Sequence, residues 1–429
     1  MKKQEEKINL KQLQKRMTKL HMSAPKGKKG LKSNVELGRD LDIYIVSEIV
    51  GKGLPLLTPK GTTIKREIER FATDEELKQG YLHTATPIMA KADLYKVSGH
   101  WQHYQDSMFV LDVGKEKFAL RPMTCPFQFI LYKRKPRSYK ELPIKYAEIA
   151  TLFRNEQSGE LRGLTRVRQF NLADAHVICT PKQLEEEFKK VLDLLKYVMD
   201  KLGIEDIWYR FSKGDVKNKK KYIQNPKAWK ESEAIMKKIL DKLKIKYVEA
   251  KDEAAFYGPK LDIQYKDVYE KEDTLLTIQI DFALPERYDL TYLDENNKQQ
   301  RPMIIHRSST GATERVIAYL LEKTQGNLKT WLAPIQARLI SFTDKNKKAV
   351  EKLEKQMKEQ GIRVEIDIDD TTVGSKVKKA ELMKIPYIIV IGDKEEKSKS
   401  LAVRHKGKVS IIKQDKFIKD LIKEIKEKK

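Results

Sequence analysis

LFRNEQSGELRGLTRVRQFNLADAH, residues Leu152–His176, reads as a strand, a polar loop and a second strand, and it carries four arginines. Ile149, Thr151 and Phe153 alternate before the break, Val167 and Phe170 follow it, and Ser158-Gly159 and Gly163 mark the loop between them. A hairpin of this kind brings Arg154, Arg166 and Phe170 within reach of one another. Two planar guanidinium forks suit the α- and γ-phosphates of a nucleotide, and the Phe170 ring offers a face to a base. A solvated basic hairpin has the same composition, so this stretch alone leaves both readings open.

The order of residues says more than their composition. Arg154-Asn155-Glu156, followed by Arg166-Val167-Arg168 and Phe170, resembles motif 2 of the class II aminoacyl-tRNA synthetases, and the flanking sequence resembles the threonyl-tRNA synthetases. The likeness runs from about Leu37 to about Ile425. It implies an α+β catalytic domain with a mainly antiparallel sheet, followed by a small α/β anticodon-binding domain. It also implies a chain without the amino-terminal editing domain that many family members carry.

Composition sets the outer bounds. The chain has 429 residues, enough for two or three domains, and 87 Lys+Arg against 62 Asp+Glu give a formal charge of +25. An excess of that size favours a polyanionic partner, nucleic acid foremost, although a lysine-rich solvated surface has the same count. Two cysteines, Cys125 and Cys179, cannot build a disulfide scaffold and point to a reducing, cytoplasmic setting. No apolar run approaches the ~18 residues of a membrane helix, and no apolar stretch follows the opening Met-Lys-Lys as a secretory signal requires.

Along the chain, residues 1–32 hold eleven Lys or Arg and two Glu and read as a basic amino-terminal extension, mobile or partly helical. Residues 33–326 mix helices and strands. Leu184, Phe188, Val191, Leu195, Val198 and Leu202 recur at spacings of three and four and predict a helix over 183–202. Thr277–Leu284 predicts a strand, with Ile278, Ile280 and Phe282 on one face and Gln279 and Asp281 on the other. After a junction at Gln325-Gly326-Asn327, residues 331–429 alternate strand and helix. Val350, Leu353 and Met357 form a helical stripe, Ile362 to Ile368 alternate, Tyr387–Ile391 is a continuous apolar strand, and a closing amphipathic helix carries Phe417, Leu421 and Ile425. That order predicts a mostly parallel sheet.

Further segments extend the resemblance. HRSSTGATERVIAYLLEK (His306–Lys323) is similar to motif 3, in which Arg315 meets the triphosphate and adenine and Gly311 lets backbone approach the nucleotide. Pro87 in TATPIMA resembles the proline of motif 1, through which class II enzymes pair, and so implies a homodimer. No GxxxxGK[ST] loop occurs, in keeping with a class II fold. By spacing alone Cys125, His176 and His306 say nothing about a metal. Their settings, Met123-Thr124-Cys125-Pro126, Asp174-Ala175-His176 and Ile305-His306-Arg307, match the zinc ligands of threonyl-tRNA synthetases. One Cys, two His and an open position make a site of the catalytic kind.

In the family, the open position takes the threonine amino and hydroxyl groups, so valine cannot complete it, while serine lacks only a methyl. The resemblance places Asp174, Tyr257 and Gln279 in the substrate pocket and gives Arg154 both the threonine carboxylate and the α-phosphate. Glu156 and Phe170 hold the adenine, and Arg154, Arg166, Phe170, Gln279, Gly311 and Arg315 surround ATP with its Mg²⁺. Glu395 and Arg404, in GDKE and LAVR, match positions that read anticodon bases. The expected activity is threonine–tRNA ligation with tRNA, threonine and ATP as substrates, measurable seryl-tRNA formation and a separate editing factor.

Leu172-Ala173 stands where many members have Gln-Asp, and Cys125-Pro126-Phe127-Gln128 replaces Cys-Pro-Gly-His. His100 and His103, in SGHWQHY, read as substrate or core packing rather than a second metal site. Two rivals remain: a relative specific for another amino acid such as proline or serine, of which the Cys/His/His set argues against proline, and an inactive paralogue that binds tRNA for regulation. Such a regulator has no need of Arg154, Arg166, Arg315 and three metal ligands.

Overall fold

A computed structural model describes Asn9–Lys429. Contacts divide the chain into two compact units. One comprises the residues up to Glu67, Lys201–Gly203 and Ile317–Lys429; the other comprises Ile68–Asp200 and Ile204–Val316.

The second of these is built on an eight-stranded sheet. In chain order its strands are β1 (Leu82–His83), β2 (Ile144–Phe153), β3 (Gln169–Cys179), β4 (Trp208–Lys213), β5 (Tyr247–Lys251), β6 (Lys260–Lys266), β7 (Glu272–Asp281) and β8 (Met303–Ala312). Their spatial order is β5-β4-β6-β7-β8-β3-β2-β1, and only the two outermost pairings, β5 with β4 and β1 with β2, are parallel. The mainly antiparallel sheet expected from the sequence is therefore present.

The hairpin that opened the sequence reading is β2–β3, in register from Ile144 opposite Ile178 to Phe153 opposite Gln169. Val167 lies in the loop just before β3 rather than in the strand, yet it is buried with Ala150, Leu152 and Phe170. One face of the sheet centre carries Ile144, Ile178 and Ile304, covered by the helix Cys125–Lys133 through Phe129 and Tyr132. Burying each such aliphatic side chain stabilises the unit by about 1.5–3 kcal/mol. The helix Leu184–Leu202 buries Phe188, Val191, Leu195 and Val198, as its three-four spacing predicts.

The strand predicted over Thr277–Leu284 is displaced. It runs from Glu272 to Asp281, and Phe282 lies beyond its end. Asp281 itself stops it: its Oδ1 accepts the Ala283 and Leu284 amides at 2.8 and 2.9 Å, turning the chain into the short helix Leu284–Arg287.

In the other unit a five-stranded sheet comprises β9 (Ala337–Ser341), β10 (Val364–Asp367), β11 (Tyr387–Ile391), β12 (Ser400–His405) and β13 (Lys408–Lys413), ordered β10-β9-β11-β12-β13. It corrects the expectation of a mostly parallel sheet. The pairings of β9 with β10 and β11 are parallel, but β12 and β13 add an antiparallel hairpin, turned through Gly407 at φ +78°. Val350, Leu353, Met357, Phe417 and Leu421 from the helices Lys347–Glu359 and Gln414–Glu427 close its core. Within the basic extension, Leu10–Met17 is helical, and Arg16 and Lys19 pair with Glu48 at 3.0 and 2.8 Å. Met1–Ile8 lie outside the described residues.

Candidate active site

Strand register explains how residues far apart in sequence meet. His306 on β8 stands opposite His176 on β3 and opposite Gln279 on β7, so the three project from one face of the sheet. Asp174, two residues before His176, is on the same face, as are Asp281 and Lys260. Cys125 reaches the group from the first turn of its helix. The ligand atoms of Cys125, His176 and His306 lie within 4.8 Å of one another, and all three residues are buried. No other group of three or more such residues is found among the described residues.

Each imidazole makes a hydrogen bond through one ring nitrogen. His176 Nδ1 donates to Gln128 Oε1 at 2.6 Å, and Gln128 in turn donates to the Thr84 hydroxyl at 3.0 Å. His306 Nε2 donates to Asp281 Oδ2 at 2.9 Å, while the Tyr257 ring stacks on His306 with centroids 4.7 Å apart. Neither Gln128 nor Asp281 was assigned a role from the sequence. Gln128 was visible only as a departure from the commoner Cys-Pro-Gly-His, and Asp281 only as a polar residue in an alternating strand.

Burial keeps the free site uncharged. Burial, with Asp174 and Asp281 nearby, pushes the Cys125 thiol well above its ordinary range, and burial pushes the His176 imidazole well below its own. Burial also raises the Asp174 carboxyl, with Thr124 and His306 pulling the other way. A neutral imidazole is the ligand form, and a divalent ion is what would ionise a buried thiol. The residues present thus fit a zinc ion with one sulfur, two nitrogens and an open position. Around that position the Tyr257 hydroxyl donates to Gln279 Oε1, whose amide donates to Thr277 at 3.1 Å.

The nucleotide-binding candidates fall into two states. Arg154 is exposed, stacks on Phe170 at 5.1 Å, and has no carboxylate partner among the described residues. Arg166 is not free as the hairpin reading suggested. Its guanidinium pairs with Glu156 at 2.7 Å and Glu160 at 2.9 Å, so Glu156 and Arg166 form a unit. Arg315 donates to the carbonyls of Thr165 and Thr274 at 3.0 and 2.6 Å, which pins the loop before β3 to β7. Gly311 has φ +76°, and a Cβ there would fall 2.3 Å from the Leu275 carbonyl oxygen, so the close approach it permits is of backbone to the neighbouring strand.

His100 and His103 pack rather than ligate. His100 donates to or accepts from Ser98 at 2.7 Å and meets Phe256 edge-on at 4.8 Å, and His103 stacks on the same ring at 5.2 Å. In the other unit, Glu395 Oε2 accepts the Gly392 amide at 3.0 Å, capping its own short helix, and Arg404 pairs with Glu381 at 3.3 Å rather than with Glu395.

Comparison with known proteins identifies the two domains. Residues 101–324 match the family model "tRNA synthetase class II core domain (G, H, P, S and T)", and residues 332–428 match "Anticodon binding domain". A threonyl-tRNA synthetase structure from Cryptosporidium parvum Iowa II, titled as its RNA binding domain, superposes with TM-score 0.85 at 33% identity, covering 91% of this chain and 97% of that one. The chain belongs to the threonyl-tRNA synthetase family. The threonine–tRNA ligase of Clostridium botulinum (strain Eklund 17B / Type B) is 52% identical over 396 residues, 91% of this chain. That of Clostridium perfringens (strain SM101 / Type A) is 53% identical over 373 residues, 86% of this chain. This chain spans 62% and 58% of the lengths of those relatives. No helix among the described residues is long and apolar enough to cross a membrane.

Proposed function

We propose that this chain attaches threonine to its tRNA through a threonyl-adenylate, using ATP with Mg²⁺, as a cytoplasmic homodimer. The observation that carries the reading is the convergence of Cys125, His176 and His306 beside Asp174, Tyr257 and Gln279. Cys125, His176 and His306 would hold a Zn²⁺, which would supply a Lewis acid for the amino and hydroxyl groups of threonine. The protein does the rest by orientation. Gln128 and Asp281 fix the two imidazoles, Asp174 accepts the threonine hydroxyl hydrogen bond, and Tyr257 and Gln279 close the pocket around the side chain.

Arg154, free of any carboxylate among the described residues and braced by Phe170, draws the threonine carboxylate and the α-phosphate together. Phe170 and Glu156 hold the adenine, while Arg166, Arg315 and Gln279 complete the nucleotide site beside Gly311. The carboxylate oxygen attacks the α-phosphorus, the bond to the β-phosphate breaks, and pyrophosphate leaves with the arginines and Mg²⁺ neutralising its charge. A hydroxyl of the terminal tRNA ribose then attacks the threonyl carbonyl and AMP departs.

In this reading residues 33–326 form the catalytic domain and 331–429 the anticodon-binding domain, in which Glu395 and Arg404 exchange their present partners for anticodon bases. Residues 1–32 are a basic extension. Dimer formation is supported by the segment around Pro87, where Leu82, Ile88 and Met89 are exposed.

The test is amino-acid-dependent ATP–pyrophosphate exchange in zinc-replete protein. Threonine supports exchange; valine falls by about 10⁴-fold because a designed polar contact is left empty, and serine by only about 10–200-fold for one methyl. Seryl-tRNA formation by this chain is read in a parallel aminoacylation assay. Absence of threonine-dependent exchange, or valine as good as serine, overturns the reading.

A further inference from the structure

Between β4 and the helix Pro226–Lys242 lies a lysine-rich loop, DVKNKKKY, residues 215–222, that the proposed chemistry does not use. Its conformation is set by its own polar side chains. Asp215 Oδ1 accepts the Lys217 amide at 3.1 Å, and Asn218 Oδ1 accepts the Lys221 amide at 3.2 Å. Acidic neighbours neutralise the flanking lysines: Lys213 pairs with Glu249 at 2.6 Å, Lys221 with Asp252 at 3.5 Å and Lys251 with Asp215 at 3.3 Å. Lys217, Lys219 and Lys220 are exposed, and none has a carboxylate within ion-pair distance among the described residues. The loop therefore presents three unneutralised charges from a held backbone.

Its position gives these charges a use. The Lys220 carbonyl accepts from His103 Nδ1 at 2.6 Å, and the Ile223 amide donates to the Phe256 carbonyl at 3.1 Å. His103 stacks on Phe256 at 5.2 Å, Phe256 meets Tyr257 at 4.9 Å, and Tyr257 stacks on His306 at 4.7 Å. Three ring contacts thus connect the basic loop to a candidate metal ligand, placing it at the rim of the proposed active site. We propose that Lys217, Lys219 and Lys220 grip the phosphate backbone of the single-stranded 3′ end of tRNA as it enters that site. The inference rests on the function proposed above, since a ribose delivered to the adenylate must be followed outward by the phosphates of the preceding nucleotides. Lysines supply charge without reading sequence, which suits an end shared by every tRNA.

The experiment compares the full chain with the triple variant Lys217→Gln, Lys219→Gln, Lys220→Gln. Binding to tRNA is measured by fluorescence anisotropy across a potassium chloride series, with threonine-dependent pyrophosphate exchange measured in parallel. Removing three phosphate contacts on a single strand lowers the slope of log K against log salt by about 2 and weakens binding roughly tenfold at physiological salt. Exchange, which involves no tRNA, stays unchanged. With tRNA trimmed of its single-stranded 3′ end the difference between the two proteins disappears. Equal slopes for both proteins with intact tRNA overturn the proposal. So does a difference that persists with trimmed tRNA, or a loss of exchange in the variant. If exchange is absent in the unaltered chain while the lysine-dependent difference remains, the proposed function fails and this surface stands.

Discussion

Asp281 shows how a single side chain joins fold and chemistry. One carboxylate oxygen ends β7 by accepting two backbone amides, and the other accepts a hydrogen bond from His306 Nε2. The hydrogen bond restrains the ring of His306, whose ligand atom lies within 4.8 Å of those of Cys125 and His176. Partners of this sort fix tautomer and ring orientation, and their loss costs about 10–100-fold in metal affinity. Asp281→Asn is expected to weaken zinc binding by that factor in a chelator competition. Unchanged affinity would show that the hydrogen bond does not orient the ring. Gln128 plays the same part for His176. At this scale the sequence was only partly legible. The motif settings identified Cys125, His176 and His306, but no spacing rule connects three residues brought together by strand register. The resemblance turned the face of Gln279 and Asp281 towards a cleft, and Gln128 stood out as a departure from Cys-Pro-Gly-His, but neither signal gave Asp281 or Gln128 a partner. Nor could the sequence tell that Arg154 has no carboxylate partner among the described residues while Arg166 is engaged by two.

Elements are held beside the site by buried charge as well as by apolar packing. Arg307 on β8 is fully buried, pairs with Glu76 from the helix Pro59–Lys78 and lies over the Tyr81 ring at 4.1 Å. Glu76 also accepts the Ser309 hydroxyl at 2.6 Å and faces His83 at 3.0 Å. Burial alone raises this carboxyl, but Arg307, His83 and Ser309 outweigh it and hold the group below its ordinary value of 4.5. A carboxylate depressed in the folded state contributes stability that is complete above its unfolded pKa and is lost as pH falls through the lower folded one. Glu76→Gln leaves Arg307 charged and buried, and should lower stability by about 3–5 kcal/mol at pH 7. In urea unfolding the gap between variant and parent should narrow below pH 4.5. A gap of the same size at pH 7 and pH 3 would exclude this linkage. Periodicity found the β2–β3 hairpin and the helix Leu184–Leu202, whose apolar residues repeat without interruption. It misplaced β7 because Phe282 continues the alternation while Asp281 has already turned the chain. It missed the antiparallel hairpin β12–β13, since order of elements predicts parallel neighbours but not strand direction.

For the molecule as a whole, a charge of +25 and two matched family models belong to one account, in which a catalytic sheet and an anticodon-type domain share a polyanionic substrate. Charge does not choose between a polyanionic partner and a solvated surface; the proposed function rests on the residues around the candidate metal ligands. That choice depends on three side chains gathering one ion with a coordination position left open for an alcohol. Zinc K-edge X-ray absorption on the loaded protein reads this directly. The account predicts one sulfur at about 2.3 Å and two imidazole nitrogens at about 2.0–2.1 Å, with the light-atom shell changing when threonine is added and not when valine is. A shell without sulfur, or a spectrum indifferent to threonine, would contradict it.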